Sequence, residues 1–160
     1  MSARIYYMDD CKIGVPAGFR DRTVNVLEWD TEDGEKVGLV IQREPVPDLG
    51  VAGASGASGE AGAPAAVLSA YVAAQTQEYP AQFAGYHLER DEVAAAGVPF
   101  EIQRRAFRWK HEQHVLYHHQ AFLLVGSTFI VLSGSGKARH REAIDRLLDQ
   151  ILADFHARGD

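Results

Sequence analysis

Four histidines stand close together in the second half of the chain, and imidazole is a common ligand of zinc. They are His111, His114, His118 and His119. Alternate residues of a β-strand point to opposite faces, so His114 and His118 would share one face while His119 would point away. A zinc site needs three or four ligands in a defined geometry, and no cysteine or acidic cluster completes this set. We therefore interpret the histidines as residues on a sheet surface and predict no metal site.

A glycine-rich stretch, Ser133 to Lys137 (SGSGK), superficially resembles a phosphate-binding loop. It lacks the GxxxxGK(S/T) spacing of such loops, and its lysine is not followed by serine or threonine. We expect this stretch to end the last strand and to open the last helix. No nucleophile motif is visible in the sequence either. We therefore predict a protein that is not an enzyme and that uses no cofactor.

The elements that must position the histidines have the pattern of an antiparallel meander. Three runs rich in aromatic and β-branched residues are separated by short polar or glycine breaks: Phe100 to Trp109, Val115 to Val125 and Thr128 to Ser133. His111 to Gln113 makes a plausible tight turn between the first two runs. These strands are too apolar to leave one face in water. Helices or a partner must therefore cover most of one face and part of the other.

The rest of the chain supplies further predicted strands and two helices. The strands are Arg4 to Met8, Lys12 to Val15, Thr23 to Trp29, Val37 to Gln42 and Tyr86 to Val93. One helix is predicted from Ala65 to Phe83, and Pro80 should kink or end it. Another is predicted at the C-terminal end, where apolar residues from Ile144 to Phe155 recur at three- and four-residue steps. The predicted fold class is α+β, an antiparallel β-sheet of about six to eight strands flanked by helices.

Composition limits the class of protein. A chain of 160 residues forms one domain, here 1–160, and is large enough to bury a core without disulfides. No internal disulfide is possible, because Cys11 is the only cysteine. Residues 45–64 are rich in proline, glycine, alanine and serine, so we predict a flexible loop there. The net charge of −6 argues against nucleic-acid binding. Because no apolar run is long enough to span a bilayer, we expect a soluble cytoplasmic protein without direct membrane insertion.

Apolar and amide side chains also fall on the strand faces opposite to the face that we expect to form the core. They are Val24, Val26, Val40, Gln42, Gln103 and Gln120. The predicted inserted helix carries one stripe at helical spacing, made of Leu68, Tyr71, Val72, Gln75 and Tyr79. Two explanations stay open at this point. Either a helix of this same chain covers the second face, or a partner does.

The stretch from Tyr7 to Trp29, YMDDCKIGVPAGFRDRTVNVLEW, resembles the opening of the DcrB-related family. Members of that family share an acidic turn, an IxVPxGFxDRTVNVL-type run and a following strand that ends in IxR. In this chain the run extends from Ile13 to Leu27, and the strand ends at Ile41 to Arg43. Weaker matches extend the likeness over most of the chain, at Tyr71 to Gln75, Gly85-Tyr86 and Tyr117 to Phe122.

Within that family the chain is most similar to the Eag-type chaperones of type VI secretion. The resemblance implies a Mog1/PsbP-like fold and a cytoplasmic homodimer. It further implies a cradle that shields the hydrophobic N-terminal transmembrane segments of a PAAR-containing, Rhs-type effector before export. The residues that match the groove positions of the family are Val24, Val26, Val40, Gln75, Phe83 and Gln120. The alternative is a DcrB-related, non-catalytic binding module for another cytoplasmic protein.

Overall fold

A computed structural model of the chain describes residues 4–7, 12–15, 24–47, 63–93 and 100–156. The strands in these ranges lie where the sequence predicted them, with ends that differ by a few residues. They are β1 (Arg4–Tyr7), β2 (Lys12–Val15), β3 (Val24–Asp30), β4 (Lys36–Pro45), β5 (His87–Val93), β6 (Glu101–His111), β7 (His114–Val125) and β8 (Thr128–Lys137).

Six of these strands form one antiparallel sheet, and β1 and β2 pair separately. The order in the large sheet is β3-β4-β8-β7-β6-β5, so the predicted meander of β6, β7 and β8 lies at its centre. The turn between β6 and β7 places Glu112 at a φ of 54°, and Gly126 at 58° begins the turn between β7 and β8. Glycine adopts such angles at little cost, which suits the predicted break at that position. The antiparallel α+β prediction is confirmed.

Three α-helices accompany the sheet in the described ranges. They are α1 (Ala63–Thr76), α2 (Tyr79–Gln82) and α3 (Arg141–Ala153). The helix predicted from Ala65 to Phe83 is interrupted before Pro80, where a kink or an end was expected, because α1 ends at Thr76 and α2 is a separate single turn. Pro80 lacks the N–H that a continuous helix would need, which accounts for the break. The SGSGK stretch belongs entirely to β8, and a short 3-10 turn, Ala138–His140, separates it from α3.

One face of the large sheet is closed by α3, and we call it the α3 face. Ile144 and Leu148 of this helix are fully buried on it, as the predicted apolar spacing requires. Gly134 lies beneath them, where an added side-chain carbon would come within 2.7 Å of Leu148 Cδ2. The missing side chain thus lets the helix approach the sheet closely. The strand residues of this core are Val37, Leu39, Ile102, Ala106, Tyr117, Ala121, Leu123 and Leu132.

The opposite face, here called the α1 face, is covered only in part. Leu68 and Val72 of α1 pack against a second apolar cluster on β7 and β8. Tyr71 stacks on Phe129 of β8 with ring centroids 3.8 Å apart, and its hydroxyl donates to a Glu44 carboxylate oxygen at 3.1 Å. The helix therefore stands over the middle of the sheet. Among the helices that the structure describes, none stands above β3 and the adjoining part of β4 on this face.

Both ends of the segment predicted as a flexible loop, 45–64, belong to regular structure. β4 continues to Pro45, the N–H of Val46 donates to the Ser127 carbonyl at 2.9 Å, and α1 already begins at Ala63. Residues 48–62 lie outside the described residues, as do the family-like run from 16 to 23 and the link 94–97. In the described ranges, no helix combines the length and the hydropathy needed to cross a membrane.

Candidate functional site

The uncovered part of the α1 face contains three of the predicted groove residues. The register of β3 with β4 pairs Val26 with Val40 and Val24 with Gln42, so these side chains point to the same face. Val24 is 54% exposed and Val26 is 67% exposed, while Val40 is half-buried between β3 and β8. Large apolar side chains grouped at this exposure favour a surface that binds a partner.

A row of side chains crosses the α1 face from this apolar edge to a polar centre. Successive pairings place these residues side by side: Val26, Val40, Ser133, Gln120, Arg105 and Asp91. The row is apolar on β3 and β4, uncharged and polar on β8 and β7, and charged on β6 and β5. We call its polar and charged part, from Ser133 to Asp91, the polar strip. The apolar cluster under α1 lies on one side of this strip, and an aromatic cluster lies on the other.

Gln120 is the predicted groove residue at the inner end of this surface, and it is buried, with 8% of its area exposed. Its Nε2 donates to the Tyr79 hydroxyl at 3.1 Å and lies 3.4 Å from Ser133 Oγ. Its Oε1 is also buried and has no hydrogen-bond partner within the part of the chain that the structure describes. A buried amide oxygen without a donor costs about 1–3 kcal/mol.

Gln75 lies on α1 and is exposed. Its helical spacing from Leu68 and Tyr71 puts it on the side of the helix that carries Tyr71, and Tyr71 contacts β4 and β8. The predicted stripe therefore faces the sheet at Leu68, Tyr71 and Val72, whereas Gln75 is exposed and is not part of the core. The buried residue at the end of the stripe is Thr76, whose hydroxyl donates to the Val72 carbonyl at 2.8 Å and contacts the Arg105 guanidinium.

Phe83 lies in the aromatic cluster on the same face. Its ring centroid is 5.2 Å from that of Phe107 and 5.0 Å from that of Trp109. His118 stacks on Phe107 at 5.0 Å, and burial among these rings lowers the pKa of His118 to about 4. Phe83 is thus on the predicted face, but its contacts are with β6 and β7, whereas the exposed valines lie on β3 and β4. The structure brings Val24, Val26 and Val40 together, and it places Phe83 at the far side of α1 and α2 from them.

The histidines divide between the two faces as predicted. His118 lies on the α1 face, and His119 is fully buried on the α3 face. Within the described ranges, no group of three or more histidine, cysteine or acidic side chains is placed to hold a metal ion. The sequence predicted histidines on a sheet surface, and His119 departs from that prediction because it is fully buried between the sheet and α3.

His119 belongs to a buried polar network that the sequence did not predict. Arg104 Nε donates to His119 Nε2 at 3.2 Å, so His119 Nδ1 carries the proton and donates to Asp145 Oδ1 at 2.7 Å. The Tyr117 hydroxyl donates to the same carboxylate oxygen, also at 2.7 Å. Burial, together with the neighbouring Arg104, lowers the pKa of His119, and burial raises the pKa of Tyr117. The network joins β6 and β7 to α3.

A second surface feature lies beside β3 on the α3 face. An open groove of about 800 Å³ runs between the β3–β4 turn and α3, and its lining includes Trp29, Arg139, Arg146, Leu147 and Gln150. Trp29 is 44% exposed. Across the turn, Glu35 accepts hydrogen bonds from Lys137 at 2.9 Å and from Arg139 at 2.7 Å. These contacts fix the turn to the residues that precede α3, at one end of the groove.

No protein-family model and no curated protein matches this chain. Among solved structures it is similar to PA94 from Pseudomonas aeruginosa, a protein of unknown function that has been suggested to be a regulator. That likeness has a TM-score of 0.74 at 15% sequence identity and covers 100% of both chains.

Two further structures share the fold at lower similarity. CyanoP, the PsbP protein of the cyanobacterium Synechocystis, has a TM-score of 0.51 at 12% identity, covering 98% of this chain and 93% of its own. LpqN, a Mycobacterium tuberculosis protein involved in cell envelope biogenesis, has a TM-score of 0.50 at 8% identity, covering 92% of this chain and 78% of its own. At such identities a likeness establishes the fold alone. The expected PsbP-like architecture is confirmed, and the chain has a PsbP-like α+β fold.

Proposed function

We propose that this protein is a non-catalytic cytoplasmic chaperone. It binds and shields the N-terminal transmembrane segments of a PAAR-containing type VI secretion effector and aids the loading of that effector for export. The proposal combines the DcrB-related and Eag-type resemblance of the sequence with the open apolar surface on the fold. It includes the homodimer that the resemblance implies.

The observation that carries the proposal is the open edge of the α1 face. A membrane helix of about 20 apolar residues aggregates or inserts wrongly if it stays exposed in the cytosol. The patch of Val24, Val26 and Val40 offers such a helix an apolar surface in place of lipid. Burying the exposed part of one valine contributes about 1 kcal/mol, so several such contacts would hold the helix.

The polar strip gives this surface a second property. A transmembrane segment contains backbone groups and small polar side chains that need partners when the helix departs from ideal geometry. Gln120 and Ser133 lie next to each other in this strip, and Gln75 is exposed on the same side of α1 as Tyr71. An amide side chain both donates and accepts, so it can serve different client sequences.

The proposal is tested by co-expressing this chain with the N-terminal region of a PAAR-type effector encoded beside it. We expect the two to co-purify, and we expect the complex to disappear when the apolar segments of the effector are deleted. Capture that survives the deletion would indicate an adaptor for a folded effector surface. No capture by the folded protein would favour the DcrB-related binding module for another partner.

The groove assignment is tested separately on β3. The double substitution Val24→Asp and Val26→Asp should abolish capture, because two charges would have to be buried against an apolar helix. Asn25→Asp is the matched control, since it adds a charge to the same strand on the opposite face, where Asn25 pairs with Ile41. It should retain capture. Unchanged capture by the double variant, with normal thermal unfolding, would remove the groove assignment.

A further inference from the structure

β3 is an edge strand that lacks the usual protection against pairing with another chain. In the described part of the structure it pairs with β4 alone. It exposes apolar side chains on both faces: Val24 at 54%, Val26 at 67%, Leu27 at 52% and Trp29 at 44%. Its register with β4 is continuous over seven pairs, and its sequence contains no lysine and no proline. Such an edge is a template for strand addition.

The other edge of the same sheet is more densely charged and less regular than β3. β5 contains four charged residues in HLERDEV, and its register shifts between Leu88 and Arg90. Its charges pair within the sheet, Arg90 with Glu92 at 2.9 Å and Glu89 with Arg108 at 3.2 Å. Charges and a bulge of this kind block strand pairing. The difference between the two edges points to β3 as an interface.

The direction of the hydrogen bonds along β3 follows from the turn. The Thr31 N–H donates to the Glu35 carbonyl at 2.7 Å, so the N–H of Thr31 points toward β4. In an antiparallel pair this direction alternates from residue to residue. The backbone N–H groups of Val24, Val26, Glu28 and Asp30 therefore point away from β4. They form a row of donors along the outer edge of the sheet.

A strand added at this edge would place its side chains on both faces in turn. On the α1 face they would extend the patch of Val24 and Val26. On the α3 face they would lie beside Leu27 and Trp29, next to the open groove of about 800 Å³. One extended segment could thus use both surfaces that β3 now leaves exposed.

We propose that the outer edge of β3 binds an extended segment of the client, adjoining the helix held on the α1 face. This rests on the proposed function, because the segment must continue from a client bound there. The charge of the strand favours a client over a second copy of this chain. β3 contributes Glu28 and Asp30 and no basic residue; Glu28 pairs with Lys36 of β4 at 2.8 Å, and the turn adds the further acidic residues Glu32 and Asp33. A segment with lysine or arginine complements that charge, which another β3 does not.

Hydrogen exchange on the isotopically labelled chain, alone and in complex with the effector N-terminal region, tests this inference. The outward amides of Val24, Val26, Glu28 and Asp30 should exchange at least about tenfold more slowly in the complex. Protection in the free protein that rises with its concentration would mean that a second copy occupies the edge, and would overturn the inference.

A proline substitution provides a second measurement. Val26→Pro removes an outward N–H and no bond to β4, so the variant should fold. Val26→Thr is the matched control, because it keeps both the N–H and the β-branched shape. We expect Val26→Pro to weaken the complex by about tenfold relative to Val26→Thr, the effect of one lost hydrogen bond.

The outcomes separate this inference from the proposed function. A complex that forms without protection of the outward amides, and that tolerates Val26→Pro, would leave the chaperone proposal standing and would overturn strand addition. If no effector region is captured, both proposals fail together.

Discussion

The two faces of the large sheet are built from the same strands and closed in opposite ways. On the α3 face, a helix with a strict apolar stripe fits over glycine and buries Ile144 and Leu148 completely. On the α1 face, the helix covers the middle of the sheet and leaves Val24 and Val26 more than half exposed, at 54% and 67%. The α3 face therefore contributes most to the stability of the fold, whereas the α1 face leaves apolar side chains exposed.

Removing a side chain from each face should separate these roles most strongly. Leu148→Ala should lower the free energy of unfolding by about 2–5 kcal/mol, because the cavity forms in a closed core. Val26→Ala should change it by less than about 0.5 kcal/mol, since that side chain is exposed. Denaturant unfolding measures both. Equal losses for the two variants would contradict the division between the faces.

Acid should weaken the fold through the buried histidines. In the folded state the pKa of His118 is lowered to about 4 and that of His119 is lowered as well, whereas an unfolded histidine titrates near 6.5. The unfolded chain therefore binds more protons below that value. Stability is complete above about pH 6.5 and is lost as the pH falls toward 4, by about 2–3 kcal/mol for His118.

His118→Phe is the variant that checks this cause, because a phenyl ring can keep the stacking on Phe107 and cannot be protonated. Its unfolding free energy should fall less steeply between pH 6.5 and 4 than that of the unchanged chain. Identical slopes for the two proteins would show that His118 is not responsible.

The polar network of the α3 face should contribute less than its apolar core. Asp145→Ala leaves the Tyr117 hydroxyl and His119 Nδ1 without their shared acceptor, so we expect a loss of about 1–3 kcal/mol. Thermal unfolding of the variant measures the loss. Asp149→Ala, which removes an exposed carboxylate paired with Arg104, is the control and should cost under about 1 kcal/mol. A larger loss for Asp149→Ala would reverse the assignment.

Only a small change in stability is expected at the polar strip of the α1 face. Gln120→Leu removes the hydrogen bond to Tyr79 together with the amide oxygen that has no partner. These two effects oppose each other, so the free energy of unfolding should change by less than about 1 kcal/mol. Capture of the effector region should nevertheless fall several-fold, as measured by titration. A variant that binds as tightly as the unchanged chain would show that Gln120 takes no part in recognition.

Much of the fold could be predicted because its signals are local. The apolar spacing of α3 placed Ile144 and Leu148 on one side, and strand alternation separated His118 from His119. A break in the inserted helix was predicted from Pro80, but the sequence did not show that α1 would end as early as Thr76. Each of these depends on residues a few positions apart, where spacing and backbone chemistry decide the outcome.

The candidate site could be predicted only in part, because it depends on strand order. Alternation placed Val24, Val26 and Val40 on one face, but no local pattern indicates that β4 lies beside β8. Without that neighbour, the row that joins Val40 to Ser133 and Gln120 stays hidden. The contact of Asp145 with His119 likewise joins a helix to a strand far away in the sequence.

The pairing of β4 with β8 also has a consequence for how the protein is made. The β3–β4 hairpin is synthesised early, yet Val40 finds its neighbour Ser133 only when most of the chain has left the ribosome. Contacts between such distant positions form slowly, and they keep apolar strands exposed in the meantime. The valine patch therefore joins the sheet late in folding. The patch is therefore complete only when synthesis of the chain is nearly finished.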